Sequence, residues 1–366
     1  MNYLPQILFI IALVFSVWFF ARNVKRLRRN ILLGKDIDKS DEKPKRLKKM
    51  IRVALGQSKM VTRPIAGILH VITYIGFVII NIEVLEIIID GILGTHRIFS
   101  FLGPVYDVLI ASFEVLALLV LVSVILFWTR RNISKIKRFW SKEMTSWQKN
   151  DANNILYFEV VLMVLFLTMN ATDYQLQMNS AEHYSEAGAF PISQFLLPLF
   201  DGLTTSTLIA IERSAWWLHI LGIFFFLNYL YYSKHLHILL AFPNVYYSNL
   251  KPKGQFSHNE TVAKEVKMMM DPDADPYAMP DEDDPEVSEE VPEKFGASDV
   301  TDLNWSQLLS AYTCTECGRC TSECPANQTG KKLSPRKIMM DTRDRLEEIG
   351  ENINTNGEFK PDEKQL

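Results

Sequence analysis

All four cysteines of the chain fall in one short run, Cys314-Thr-Glu-Cys317-Gly-Arg-Cys320-Thr-Ser-Glu-Cys324, followed by Pro325. The spacing C-x2-C-x2-C-x3-C-P is the one by which closely placed thiolates wrap the corners of a [4Fe-4S] cube. A tight loop can aim the first three sulfurs inward, Gly318 relieves crowding in it, and Pro325 turns the chain away. A structural zinc site would show two separated C-x2-C pairs or added histidines, and disulfides would not be packed so tightly. The bland alternative is a degenerate remnant that binds no metal. Where two cubes share one chain, the last cysteine of such a run ligates the other cube. Here no second run exists, which leaves three options. Cys324 closes a single cluster, the second quartet lies on another polypeptide, or the sequence is a piece of a longer chain with a polar tail at 351–366.

Histidine supplies the other chemistry. His70, His219 and His237 lie inside apolar stretches, with His235 beside the last, and ligand-capable groups within a membrane default to a functional reading. If 208–242 is one helix, His219 and His237 are about five turns apart, on one face and ~27 Å apart along the axis, while His235 is turned away by roughly 160°. His70 follows Arg63, and His237 precedes Pro243, by nearly equal lengths, so the two match in depth. Facing histidines at one depth on antiparallel helices make a bis-histidine site for a b-type haem; c-type haem is excluded because no C-x-x-C-H occurs. The residue that would face His219 is Ile80, so His219 could instead line a quinone pocket, bond a neighbouring helix, or serve a second haem. A lone membrane histidine is more often a hydrogen-bonding residue than a ligand. His96 and His183 in loops and His258 in a linker read as surface residues. Glu83, Glu86, Glu114 and Glu159 also fall in or near apolar stretches and could carry protons for a quinone. The pattern singles none out, and interface positions equally fit Glu86 and Glu159.

The elements that must position these residues are helices. Apolar runs at 4–21, 64–89, 105–128, 155–171 and 208–242 suit the ~20 residues that cross a bilayer. The first run has its charges after its apolar core, unlike a cleavable leader. The lysines and arginines between Arg22 and Arg63, and again between Arg130 and Lys142, place those loops in the cytoplasm, whereas none occurs between Lys149 and Arg213. The N-terminus is therefore expected outside and the cysteine run inside, in the reducing compartment. The formal net charge of only −3 hides this asymmetry. The basic residues line the membrane edge, which argues against nucleic-acid binding.

The expected fold is mainly α: a five-helix transmembrane bundle over 1–249, an acidic linker over 250–297, and a small helical iron-sulfur domain over 298–350. Asp271 to Glu293 repeats Asp, Glu and Pro and cannot bury enough surface to order itself, so it reads as an extended, mobile tether. Leu303 to Tyr312 reads as a short amphipathic helix, and Ser334-Pro335 as the start of another that runs to Ile349.

Gly67-Ile-Leu-His70-Val, Trp217-Leu-His219-Ile-Leu-Gly222 and Lys234-His-Leu-His237-Ile resemble the cytochrome b gamma subunit of respiratory nitrate reductase and its counterpart in membrane heterodisulfide reductases, over roughly Arg63 to Pro243. That resemblance implies five helices with haems between the second and fifth. It makes His70 and His237 the ligands of the haem nearer the cytoplasm, and puts His219 at the other haem position, where Ile80 departs from the expected histidine. The stretch from Cys314 to about Arg345 resembles the ferredoxin-like part of heterodisulfide reductases and of the anaerobic glycerol-3-phosphate dehydrogenase iron-sulfur subunit. The cysteine-rich domain for disulfide chemistry is missing, so heterodisulfide reduction is not expected. The combination implies a membrane-anchored electron-transfer subunit linking a cytoplasmic cysteine-rich or flavoprotein partner, one [4Fe-4S] cluster, one or two haems b and a membrane quinone. The alternative is an anchored ferredoxin or redox sensor with no haem; a transporter is disfavoured because no internal repeat is evident.

Overall fold

The computed structural model describes residues 3–252, 254–255, 260–272 and 296–360. Helices α1 (Leu4–Ile31), α3 (Pro64–Leu93), α4 (Pro104–Asn132), α5 (Ser146–Met178) and α6 (Thr205–Tyr229) are each long and apolar enough to cross a membrane, α6 with its continuation to Tyr232. Helices α1, α3, α4 and α5 run past the apolar stretches seen in the sequence, because each continues into the polar residues that flank it. Prolines at the first turns of α1, α3 and α4 set their starts, where the missing N–H costs nothing. The core of the bundle interleaves Phe9, Tyr106, Ile110, Phe113, Phe166 and Ile220. Phe9 packs against Gly91, where any side chain would collide with its ring, and within 6.0 Å of the rings of Trp216, Trp217 and Phe224. Outward-facing residues such as Ile11, Val14 and Phe15, each at least 60 % exposed, have no protein neighbour to cover them, and an apolar exterior of this kind is what a bilayer solvates.

The polar end of the bundle carries α2 (Lys43–Met50) and α7 (His237–Tyr246). Next come α8 (Glu260–Met270), α9 (Trp305–Thr313), the single-turn helices α10 (Arg319–Ser322) and α11 (Pro325–Gln328), and α12 (Pro335–Asn356). Among the described residues no strand occurs, only an isolated bridge between Lys35 and Asn304. Before the acidic repeat, the 250–297 segment contains α8, whose Glu-Thr-Val-Ala-Lys-Glu-Val-Lys sequence is helix-forming; of Asp271 to Glu293 itself, only 271–272 are described. One expectation needs correction. The run 208–242 is not one helix: α6 gives way to short 3-10 turns, Ser233 is extended (φ −111°, ψ 150°), and α7 restarts at His237 with Pro243 inside it.

The cysteine-bearing unit is not hung at a distance from the bundle. Leu27 and Ile31 of α1, Leu236, and Val300, Leu308, Tyr312, Leu346 and Ile349 form one apolar core across the junction. Around it the backbones of Lys35 and Leu303 to Trp305 exchange hydrogen bonds of 2.8 and 3.1 Å. Asn30 Nδ2 donates to the Tyr312 hydroxyl at 3.1 Å, and the Arg29 guanidinium donates to the Gly350 carbonyl at 2.8 Å. Gly350 lies directly on the Asn30 side-chain amide.

Candidate functional site

The break after α6 builds the histidine cluster. Asp151 of α5 accepts from the Tyr229 hydroxyl (2.6 Å) and from the Lys234 backbone N–H (3.1 Å), and the Ser233 hydroxyl accepts from the His235 N–H (3.0 Å). These bonds satisfy backbone groups that the interrupted helix would otherwise leave unpaired. Beyond the break, His237 meets His70 of α3 with ring centroids 6.5 Å apart and planes at 45°. The depth match read from the sequence thus brings His70 and His237 together. The shared helix face does not do so, because the helix carrying it is interrupted. His237 Nδ1 lies 3.0 Å from the Lys234 carbonyl, which can only accept, so Nδ1 carries the proton and Nε2 is left with its lone pair. His70 Nδ1 is buried without any hydrogen-bond partner. A metal held by two imidazoles at about 2.0 Å would leave the ring centroids roughly 6.3 Å apart, close to the spacing seen. His235, expected to point away, has its ring 5.5 Å from that of His237 and 5.4 Å from that of Phe226. The turn of chain after Ser233 redirects it.

His219 is only 2 % exposed, and its Nδ1–H donates to the Leu162 carbonyl at 3.0 Å. It lines a cleft of about 80 Å³ between α3, α5 and α6, together with Thr73, Ile80, Glu159 and Phe226. Ile80 faces the same space, as the helix register expects, so no second histidine meets His219. The cleft reaches the histidine cluster from both sides: Thr73 is one turn from His70, and the Phe226 ring touches His235.

Cys314 ends α9, Cys324 caps α11 ahead of Pro325, and Cys317 and Cys320 lie between; Cys320 is exposed and the others are half-buried. Burial pushes the Cys314 thiol up. Among the described residues no three His, Cys, Asp or Glu side chains come close enough together to hold a metal ion, so the thiols do not converge on one point. The donor set is the one an iron-sulfur cluster takes, and the loop geometry is open.

What the loop does have is a set of anchors that the sequence did not reveal. Glu316, in the left-handed region at φ 55°, turns its carboxylate inward, where it accepts from Lys234 Nζ at 2.5 Å and from Arg343 at 2.9 Å. Arg336 is 1 % exposed and donates to the Arg138 carbonyl (2.6 Å), the Glu316 carbonyl (3.3 Å), Glu143 (2.5 Å) and the Ser141 hydroxyl. Gly318, at φ 70°, lies where an added Cβ would be 2.6 Å from the Arg336 guanidinium. Burial depresses the Lys234 ammonium below its ordinary range against the pull of Glu316. One cation thus touches both halves of the site, its side chain the cysteine loop and its carbonyl His237. The signal for it was in the sequence as a lone lysine beside two histidines at the end of an apolar run. Among the surface histidines, His96 is instead half-buried, 3.5 Å from Asp173 and edge-on to the Tyr184 ring at 4.9 Å. His258 lies outside the described residues.

Comparison with known proteins supplies names for relatives. Over 356 residues, 97 % of this chain, it is 29 % identical to the Bacillus subtilis protein named "Probable iron-sulfur-binding oxidoreductase FadF", covering 45 % of that protein. Over 318 residues it is 23 % identical to the EtfAB:quinone oxidoreductase of Syntrophomonas wolfei, covering 85 % of this chain and 39 % of that one. A segment of 47 residues is 40 % identical to a protein of Chromohalobacter salexigens named "Probable membrane-anchored ferredoxin", covering 13 % of this chain and 7 % of that one. No family model and no solved structure matches. The chain spans less than half the length of the relatives that it matches along most of its own, and its similarity is to iron-sulfur-binding oxidoreductases.

Proposed function

We propose that this chain is the membrane-bound electron-transfer part of a quinone-linked oxidoreductase. Electrons pass between a cytoplasmic cysteine-rich or flavoprotein partner, a [4Fe-4S] cluster on Cys314, Cys317, Cys320 and Cys324, a haem b held by His70 and His237, and a membrane quinone. The observation that carries this reading is the His70–His237 pair, spaced for one iron and joined through Lys234 and Glu316 to the cysteine loop. Support for the two ends comes from the Syntrophomonas relative, whose name couples EtfAB to quinone, and from the iron-sulfur names of the others.

When bound, the iron groups supply one-electron chemistry. The chain's own residues orient and insulate. The Lys234 carbonyl fixes the His237 tautomer so that Nε2 is the ligand, as second-shell carbonyls do for metal-bound histidines. Glu316 and Arg336 hold the backbone on either side of Cys317. In the cleft, His219 and Glu159, with Thr73 and Asn81, present polar atoms in a mostly apolar wall, a combination that suits a quinone headgroup: apolar faces for the ring and polar groups for its oxygens. Ile80 argues against His219 as a second haem ligand. By the distribution of lysine and arginine, the protein lies in the bacterial cytoplasmic membrane with the cysteine loop inside and the N-terminus outside. Cys324 either completes one cluster or reaches towards a second whose other thiolates lie outside this sequence.

The test is a dithionite-reduced minus oxidised spectrum of the detergent-purified chain, with haem and iron counted per polypeptide. A b-type signal is expected, lost in both His70→Ala and His237→Ala and kept in His219→Ala. Iron at one cluster's worth with no haem in any form would sink the cytochrome reading and leave an anchored ferredoxin or redox sensor.

A further inference from the structure

The far end of the bundle, opposite the cysteine loop, buries more acid than a structural role explains. Glu83, Glu86, Glu114, Asp173 and Glu212 are each no more than 3 % exposed, and Arg97 is the one strongly buried cation among them. Most of their oxygens are bonded in an ordered chain. The Tyr106 hydroxyl donates to Glu86 at 2.9 Å and accepts from Arg97 at 3.1 Å. Arg97 also donates to Asp173 at 2.5 Å and to Asn170 at 3.0 Å, and Asn170 donates to Glu114 at 3.2 Å. At the surface end stands His96, 3.5 Å from Asp173, with its other nitrogen buried and unpartnered. One member does not fit this closed accounting: the Oε2 of Glu83 is buried with no hydrogen-bond partner, and Glu83 lines a small cavity shared with Glu86, Arg97, Asp173 and Trp216. An unpaired buried carboxyl oxygen costs stability and asks for a visitor, a water or a proton.

The cavity abuts the His219 cleft on three helices at once. On α3, Ile80 and Val84 line the cleft while Glu83 and Ile87 line the cavity; on α6, His219 lines the cleft and Trp216 the cavity; on α5, Met163 lines the cleft and Met169 the cavity. Offsets of three to six residues amount to about 5–9 Å along a helix axis, the length of one or two bridging waters.

We propose that this array is a proton path between the quinone cleft and the surface opposite the cysteine loop. Glu83 is its inner gate, Glu86, Asp173 and His96 pass the protons outward through water in the cavity they share, and Arg97, which stays protonated, holds Tyr106 and Asp173 in place. The inference rests on the quinone reading above. Oxidising a quinol there breaks its two O–H bonds, releases two protons through Glu83, and sends two electrons towards His70 and His237; reducing a quinone reverses every step. Electrons and protons leave the cleft by opposite ends of the bundle, so turnover moves charge across the membrane.

The experiment uses the full chain with its iron groups, reconstituted in vesicles with the cysteine loop outward, as judged by protease access. Menadiol is the donor, impermeant ferricyanide outside is the oxidant, and a pH dye is trapped inside. Ferricyanide reduction should acidify the lumen, and the rate of acidification should fall about tenfold or more in Glu83→Gln and in Tyr106→Phe while the dithionite-reduced spectrum stays unchanged. Protons appearing outside with the lumen unmoved would overturn the path, as would wild-type acidification in both variants. If a variant loses its spectrum by misfolding, the side of proton release in the wild type decides alone. A wild-type chain with neither haem signal nor ferricyanide reduction would remove the quinone reading, and this inference with it.

Discussion

At the scale of single residues, the site depends on two buried cations that bind backbone as well as carboxylates. Arg336 secures the loop to the segment Arg138–Glu143, and its partner Glu143 reports on that contact. Burial raises the Glu143 carboxyl, but hydrogen bonds from Arg336, the backbone and Ser334 outweigh it and hold the group below its ordinary value of 4.5. A carboxyl whose folded pKa is depressed contributes full stability above its unfolded value, and loses it as pH falls through the folded one. Thermal unfolding of wild type and Glu143→Gln should therefore differ near neutrality by about 1.5–3 kcal/mol, the worth of a hydrogen bond to a charged group. The difference should shrink as pH falls below 4.5 and close once pH has passed through the depressed folded value. A gap that persists into acid would mean that the glutamine fails for reasons of packing. The four cysteines and the three membrane histidines were legible in the sequence because their residue types are rare in those settings. Arg336 and Glu316 were not, since an arginine after Ser-Pro and a glutamate between cysteines look like ordinary surface residues until the fold buries them.

At the scale of elements, five helices could be read from hydropathy, but the interruption at Ser233 could not. Nothing in the local sequence from Leu208 to Phe242 breaks a helix. The break is sustained by Asp151, some 80 residues earlier, which captures the Tyr229 hydroxyl and the Lys234 N–H. Tertiary partners of this kind override local pattern. The loop after α9 makes the opposite case, with Gly318 at a position only glycine fills easily. Gly318→Ala adds about 1–2 kcal/mol of left-handed strain and a collision with Arg336, whereas Gly330→Ala, at φ 84° with nothing near its Cβ, adds the strain alone. Iron counted per chain should fall clearly in the first variant and little in the second; equal losses would mean that the contact with Arg336 is immaterial to the loop.

At the scale of the whole molecule, the cysteine-bearing unit is docked on the bundle: Leu27, Ile31 and Leu236 share one core with Val300, Leu308, Tyr312, Leu346 and Ile349. Composition marks Asp271 to Glu293 as poor in large apolar residues, but it could not show which helices would share that core. The seat has a narrow point at Gly350 on Asn30. Gly350→Leu should pry α12 from α1, which limited proteolysis would read as faster cleavage between residues 296 and 360, with the b-type spectrum from His70 and His237 intact. Unchanged cleavage would show that the apolar core holds without that contact.

The docking of α12 on the end of α1 also bears on how the protein is made. The hydrogen bond from Arg29 to Asn354 joins residues 325 positions apart. At a synthesis rate of about 5–20 residues per second, α1 waits on the order of half a minute for the partner that covers its end. Throughout that interval the Arg29-Asn30 edge and the apolar residues Leu27 and Ile31 stand uncovered. Helix α12 closes this seat, so iron groups loaded before it is made enter a bundle that is still open at the end of α1.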